Sequence, residues 1–183
     1  MKFDTPQERD ENIYVANAES SAEAARLLDQ DKFAKQVMGG LFPEKSDSEL
    51  AGIKDILDVA CGPGGWLHDV AYNYPRVRAV GIDLSKTMID YARGLAKVRG
   101  LRNTHFLIMD ALQPLQFDDA SFDLVNARGA AGFVPTTYWP TLLSEYYRIL
   151  RPGGTVRLVE VEGGISNMPG FERSNELFQQ ALY

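Results

Sequence analysis

Two hydrophobic periodicities alternate along the chain. Short apolar runs, each followed by glycine or a polar residue, predict strands at 56–61, 77–82, 104–109, 122–126 and 155–161. Between them, apolar residues recur every three or four positions and predict helices at 66–74, 85–100 and 140–150. Because strands and helices alternate at this spacing, we predict an α/β fold: a doubly wound, mainly parallel sheet with helices on both faces.

A further helix is predicted ahead of the first strand. Ser20 and Glu23 have the spacing of a capping box, and apolar residues at helical spacing follow until two consecutive glycines. These signals predict a helix at 21–38 and a polar connection at 43–52. A last helical segment is predicted at 171–183.

Composition narrows the classes of partner. The 183 residues are 45% hydrophobic, and 25 acidic against 19 basic residues give a net charge of −6, which argues against a broad nucleic-acid surface. We find no secretory signal, no apolar stretch of membrane-spanning length and only one cysteine, Cys61, so no intrachain disulfide forms. We therefore predict a cytoplasmic protein whose partner is a small molecule, with no nucleic acid and no membrane.

Candidate chemistry lies where the predicted strands end. Gly62-Pro63-Gly64-Gly65 follows the first strand, and Asp83, Asp110 and Asn126 lie at the ends of the next three. Ligands of doubly wound sheets bind outside the carboxyl ends of the strands. Glycines let the backbone approach a ligand closely, although a strand-to-helix turn needs glycine for its geometry alone. The strand ends therefore predict the ligand site.

Asp83 follows Gly62 by 21 residues and ends the second strand. A carboxylate at that place accepts both hydroxyls of a ribose. The alternative is that Asp83 caps the following helix, but Ser85 already occupies the cap position, so we favour ribose binding. A nicotinamide dinucleotide fold would place a third glycine where Leu67 stands, and Asp58 inside the first strand is foreign to that pattern.

The motifs are those of a known family. Residues 56–65, ILDVACGPGG, resemble motif I of the class I S-adenosylmethionine-dependent methyltransferases, and 81–85 and 109–111 resemble the second and third motifs. Residues 122–126 and 148–154 resemble the fourth strand and the approach to the fifth. All of them occur in family order. Ala60 departs from the pattern, since many members have glycine there.

The resemblance implies a Rossmann-like methyltransferase fold with S-adenosylmethionine as cofactor. It implies a cofactor site formed by Asp58, Ala60, Cys61, Gly62, Gly64, Asp83, Leu84, Met88, Asp110, Ala111, Asn126, Ala127 and Arg128. In this assignment Asp58 holds the amino group of the methionine moiety, and the backbone of 60–64 lines that moiety. Asp83 accepts from the ribose hydroxyls, and Leu84 packs on the adenine.

The same resemblance assigns the rest of the site. Asp110 accepts from the adenine amino group, and Ala111 supplies a neighbouring backbone N–H. Residues 126–128 form the floor near the sulfonium and the edge of the substrate pocket. Leu84 and Met88 are equally consistent with packing in the core.

The helix at 21–38 resembles the lid that members of the family close over the cofactor. Arg26 and Gln30 are four residues apart and share one helix face, so they either reach the cofactor carboxylate or lie in solvent. Tyr14 is a weak candidate for covering the methyl group or acting as a base. We accordingly divide the chain into a helical lid, 1–45, and a cofactor-binding core, 46–183.

The reaction implied is an in-line methyl transfer to a small-molecule acceptor. No general base is evident: His68 lies on the helix after the glycine turn and His105 inside the third strand, where packing or surface is favoured over catalysis. Cys61 in the turn is favoured as filler near the cofactor and not as a nucleophile. We predict no metal site. Aromatic residues beyond the fourth strand suggest an apolar or aromatic acceptor: Phe133, Tyr138 and Trp139. A non-catalytic cofactor-binding scaffold or subunit, and less favourably a nicotinamide oxidoreductase, stay as alternatives.

Members of the resembled family continue past the fifth strand with a helix and two more strands. We therefore expect the chain to lack the last two strands. The strand at 155–161 would then be an exposed apolar edge, which soluble proteins avoid. The expectation is a truncated domain, or a homodimer that pairs this edge.

Overall fold

A computed structural model describes residues 17–160 and confirms the predicted architecture. Five strands form one parallel sheet in the order β3-β2-β1-β4-β5. Their bounds are β1 Asp55–Val59, β2 Arg78–Asp83, β3 Thr104–Ile108, β4 Phe122–Arg128 and β5 Leu150–Val159. The helices are α1 Ser21–Met38, α2 Asp47–Ala51, α3 Gly65–Asn73, α4 Lys86–Val98 and α5 Trp139–Ile149, with 3-10 turns at Ala130–Gly132 and Thr136–Tyr138.

Helices cover both faces of the sheet, which explains the continuous apolar runs in its central strands. On one face, α3 and α4 pack on a layer that includes Ile56, Ala79 and Leu124. On the other, α5 packs on a layer that includes Leu57 and Val125. Because neighbouring strand residues point to opposite faces, a strand buried on both faces needs apolar side chains at nearly every position.

Helix caps follow the sequence signals, with one exception. Ser20 accepts a hydrogen bond from Ala22 N and begins α1, and Ser85 accepts from Met88 N and begins α4. The prediction that 43–52 is only a connection was wrong, because α2 forms inside it. A reciprocal capping box between Ser46 and Glu49 satisfies the first N–H groups of this short helix.

The largest boundary differences concern the last two strands. β5 begins directly after α5 at Leu150, not at Thr155, and its pairing with β4 is interrupted by a register shift between Phe122 and Leu124. β4 continues to Arg128, so Asn126 lies within the strand and not at its end as predicted.

Some predictions fall outside the residues described. Tyr14, the helical segment at 171–183 and any strand after β5 lie there, and the homodimer and the cytoplasmic location stay predictions from the sequence. Within residues 17–160, none of the helices combines the length and the apolar character that crossing a membrane requires.

Candidate active site

The turn after β1 is tight because three of its residues have left-handed backbone. Ala60, Gly62 and Gly64 have φ of 53°, 54° and 77°. Gly64 N donates to Cys61 O at 3.0 Å, and Cys61 N donates to Ile82 O at 2.9 Å, which ties the turn to β2. The turn therefore has a defined shape at the carboxyl end of the central strand.

Ala60 is the strained position of this turn, because left-handed backbone brings its Cβ close to a carbonyl oxygen. We expect Ala60→Gly to raise the free energy of unfolding by roughly 0.5–1 kcal/mol, the relief of strain exceeding the added backbone entropy. Urea denaturation measures this. Ala25→Gly, at an exposed position inside α1, is the control and should lower stability by about 0.5–1 kcal/mol. Equal losses in both variants would contradict the strain.

Asp83 ties the turn to the start of α4. Its Oδ2 accepts from Gly62 N at 2.8 Å, and its Oδ1 accepts from Ser85 N at 2.9 Å. Burial raises the pKa of Asp83 above its ordinary value, and the two backbone donors oppose that rise. Each carboxylate oxygen has a further lone pair, so Asp83 can hold the turn and still accept hydroxyl groups of a ligand.

Asp58 is a buried carboxylate with one oxygen paired. Asn126 Nδ2 donates to Asp58 Oδ1 at 2.6 Å, and the two residues are register neighbours on β1 and β4. Within residues 17–160, Oδ2 is buried without a hydrogen-bond partner. Burial raises the pKa of Asp58 to about 6, opposed by the positive charge of Arg128. An orphaned oxygen of this kind suits a cationic group of a ligand.

The outer part of the predicted site lies beyond β2 and β3. Leu84 is 53% exposed, so its side chain is open for contact with a ligand, whereas Met88 is 2% exposed and packs in the core. Asp110 Oδ1 accepts from Leu112 N at 2.9 Å, and Ala111 is half-buried. Ala127 is buried on the α5 face of the sheet.

Helix α1 lies over the glycine turn. A Cβ placed on Gly62 would stand 3.5 Å from Leu27 Cδ1. Asp31 of α1, 7% exposed, forms an ion pair with Arg128 Nη1 at 2.7 Å and another with Lys35 at 2.8 Å. Arg26 Nη1 donates to Gln30 Oε1 at 2.8 Å, which confirms that these two share a face. The sequence analysis did not predict a role for Asp31. The available signal was its spacing, three residues after Leu28 and four after Leu27, which places an acidic side chain on the apolar face of the helix.

Gly65 marks the contact between α1 and α3. A Cβ there would lie 2.7 Å from Asp31 Oδ2 and 3.1 Å from Leu28 Cδ2. We expect Gly65→Ala to lower the free energy of unfolding by about 1–3 kcal/mol, because the Leu28 side chain and the Asp31 carboxylate, which is held by ion pairs, must move. Gly94→Ala is the matched control: its Cβ meets nothing within 4 Å inside helix α4. That variant should gain roughly 0.5–1 kcal/mol. Thermal melts of both variants test the contact between α1 and α3, and a gain of stability in both variants would contradict that contact.

The remaining candidates fall as the sequence suggested. His68 is buried, its Nε2 lies 2.9 Å from Ala92 O, and burial lowers its pKa. Cys61 is buried and burial raises the pKa of its thiol. Both side chains are thus packed in the interior, and the assignment of Cys61 to the cofactor site stays a prediction. Phe133, Tyr138 and Trp139 are half-buried and pack on the cluster beneath α5, and Tyr138 Oη donates to Leu112 O.

One buried cation was missed entirely. Arg157 of β5 is 7% exposed, and its Nη1 donates to Asn126 Oδ1 at 2.8 Å. The available signal was an arginine at a position of β5 flanked by Val156 and Leu158, where an apolar residue is expected.

Comparisons with known proteins agree with the geometry. Residues 56–154 match the family model described as a methyltransferase domain. The demethylmenaquinone methyltransferase of Lactococcus lactis is 33% identical over 135 residues, which are 73% of this chain and 51% of that protein. The ubiquinone/menaquinone biosynthesis C-methyltransferase UbiE of Dinoroseobacter shibae is 34% identical over 128 residues, 67% of this chain and 48% of that protein.

Among solved structures, the [4+2]-cyclase SpnF superposes with a TM-score of 0.58 at 26% identity, over 85% of this chain and 52% of that chain. The chain spans about half the length of the curated relatives it matches.

Proposed function

Because the chain belongs to the class I S-adenosylmethionine-dependent methyltransferases, we propose that it transfers a methyl group from S-adenosylmethionine to a small molecule with a quinone-like ring. The observation that carries the proposal is the set of polar groups at one edge of the sheet. Asp58 lies in the carboxyl-terminal half of β1, Asp83 ends β2, and Asp110 follows the end of β3 by two residues.

The residues fit the parts of the cofactor. Asp58 Oδ2, buried and without a partner among residues 17–160, suits the α-ammonium group of the methionine moiety. Asp83, which keeps free lone pairs, suits the ribose hydroxyls, while exposed Leu84 and Asp110 suit the adenine. The backbone of 60–64 would line the methionine moiety, and Asn126 and Arg128 would complete the lining near the sulfonium.

When bound, S-adenosylmethionine supplies an electrophilic methyl group on a good neutral leaving group. The residues of this chain therefore have to bind, orient and exclude water more than to activate. Helix α1, which already packs on the glycine turn, serves in our proposal as the lid, with Arg26 and Gln30 facing the cofactor carboxylate. Tyr14 stays a weak candidate for covering the methyl group.

Two observations support the acceptor class. The relatives named above are methyltransferases of menaquinone and ubiquinone synthesis by name. Phe133, Tyr138 and Trp139 lie beyond the carboxyl end of β4 and supply aromatic surface for a flat apolar ring.

Titration calorimetry with S-adenosylhomocysteine and with NAD tests the cofactor. We expect micromolar binding of S-adenosylhomocysteine and none of NAD, and the reverse result would overturn the proposal. A methyl-transfer assay with a demethylated naphthoquinol and with catechol, amine and thiol acceptors then tests the substrate. Methylation of a different acceptor class, with the quinol inert, would replace the acceptor and keep the reaction.

A second candidate is a cofactor-binding protein that transfers no methyl group. The similarity to SpnF, a cyclase by its title, favours keeping it, because this fold is not restricted to proteins named methyltransferases. Tight binding of S-adenosylhomocysteine together with no methylation of any acceptor in the panel would select this candidate.

A further inference from the structure

A row of polar side chains crosses three neighbouring strands beneath α3. Asp58 of β1, Asn126 of β4 and Arg157 of β5 are register neighbours, and their exposed fractions are 1%, 0% and 7%. Asn126 bridges the other two, donating to Asp58 Oδ1 at 2.6 Å and accepting from Arg157 Nη1 at 2.8 Å. The row ends at Glu44, whose Oε1 accepts from Arg157 Nε at 2.7 Å and whose side chain is 46% exposed.

The direction of every bond in the row follows from its arginine. A guanidinium group only donates, so the amide oxygen of Asn126 must face Arg157. The amide nitrogen then faces Asp58, and Asp58 Oδ1 must accept. With Oδ1 engaged in this way, Oδ2 is the oxygen that is buried without a hydrogen-bond partner among residues 17–160.

We infer that Arg157 is a positioning residue for the cofactor: through Asn126 it orients the Asp58 carboxylate so that Oδ2 accepts from the α-ammonium group of S-adenosylmethionine. The inference rests on the proposed function. Arg157 contributes charge as well as orientation, because its guanidinium favours the ionised form of Asp58. Rings of Phe42 and Trp66 lie 5.9 and 5.8 Å from its guanidinium carbon and hold it in place.

Charges reach Asp58 from several packed elements. Arg128 of β4 and Arg157 of β5 favour its ionised form, and Asp31 of α1 opposes it. Cys61 of the turn and Tyr146 of α5 lie near Asp58, and burial, with the Asp58 charge as a second cause, raises the pKa of each above its ordinary value. Burial raises the pKa of Asp58 to about 6, so this carboxylate titrates between pH 5 and 7.5.

The test is calorimetric titration of S-adenosylhomocysteine into the full chain between pH 5 and 7.5, where the ligand's ammonium group stays protonated. Binding requires ionised Asp58, so affinity should fall as pH drops through the Asp58 pKa. Arg157→Met removes a cation that favours ionisation and should move this fall to higher pH by about one unit. From this shift alone, the affinity loss should be roughly fivefold at pH 6 and only about 1.3-fold at pH 7.5.

Two variants complete the design. Arg157→Lys keeps the charge and should restore the pH midpoint more than the affinity. Arg151→Met, on the same strand and ion-paired with Asp55 and Asp123 at its other end, is the matched control and should leave the midpoint in place. Equal affinity loss at every pH in Arg157→Met, or none, would overturn the inference.

Glu44→Gln tests the same coupling to Asp58 without altering Arg157, in case the Arg157 variants do not fold. It removes the exposed anion that offsets Arg157, so the midpoint should move to lower pH, and an unmoved midpoint counts against the inference. If the unaltered chain does not bind S-adenosylhomocysteine at all, the result contradicts the proposed function itself. Binding with pH behaviour insensitive to Arg157 and Glu44 removes the positioning role alone.

Discussion

Replacing Asp83 by alanine is expected to weaken binding of S-adenosylhomocysteine by roughly 1.5–3 kcal/mol, the usual loss for hydrogen bonds to a charged group. That range corresponds to about a 10- to 150-fold rise in Kd. Two losses combine in this variant: the ribose acceptor disappears, and so do the acceptors of Gly62 N and Ser85 N that hold the turn. Titration calorimetry at pH 7.5 gives the affinity.

Two companions separate these losses. Asp83→Asn keeps the size of the side chain and one oxygen, so its affinity should lie between those of the unaltered chain and the Asp83→Ala variant. Asp90→Ala removes a carboxylate on the exposed face of α4, paired with Lys86, and should not change affinity. An Asp83→Ala protein that melts like the parent and binds equally well would show that the ribose lies elsewhere.

Trp66→Ala is expected to cause the largest loss of stability, about 3–5 kcal/mol, because a fully buried large ring leaves a cavity. Trp66 is 1% exposed, its ring meets Phe42 edge-on at 5.4 Å, and it lies under the guanidinium groups of Arg128 and Arg157 at 5.7 and 5.8 Å. Its removal therefore takes away both packing and the covering of two cations. Urea denaturation measures the change.

Tyr72→Ala on the same helix is the matched control. Tyr72 is 67% exposed. Among the ring contacts within residues 17–160, it makes only the one with the guanidinium of Arg99, whose carbon lies 5.7 Å from the ring centroid. Its loss should cost about 0.5–1 kcal/mol. Trp66→Phe should fall between the two variants. A Trp66→Ala protein as stable as Tyr72→Ala would mean that α3 does not anchor this face.

The order of strands and helices was predictable because it depends on local patterns. The apolar runs, the glycines after β1 and the Ser85 cap each indicate an element within a few residues. The pairing of Asp58 with Asn126 was not predictable, since 68 residues separate them and an apolar run does not reveal its partner's register. Helix α2 was missed because its capping box lies in a polar stretch without hydrophobic periodicity.

The site could be predicted only in outline for the same reason. Asp83 was placed correctly at the end of β2, where a motif and a boundary coincide. Arg157 was missed because its role depends on the neighbouring strand and not on its own. Many members of the family have glycine at the position of Ala60, which is consistent with left-handed backbone there. The sequence did not predict the positive φ of Ala60, because φ is a property of the folded turn.

Strands that are buried on both faces can pair in a wrong register, and the row formed by Asp58, Asn126 and Arg157 disfavours this. Val59 and Ala127, like most of their neighbours on β1 and β4, would be equally buried if one strand slid past the other, so apolar contacts alone discriminate poorly between competing alignments. A slide of β4 by one residue turns Asn126 to the opposite face and leaves buried polar groups of three residues, Asp58, Asn126 and Arg157, without these partners, at about 1–3 kcal/mol each. The residues that we place at the cofactor thus also select the correct alignment during folding, so a misaligned sheet would lack a binding site.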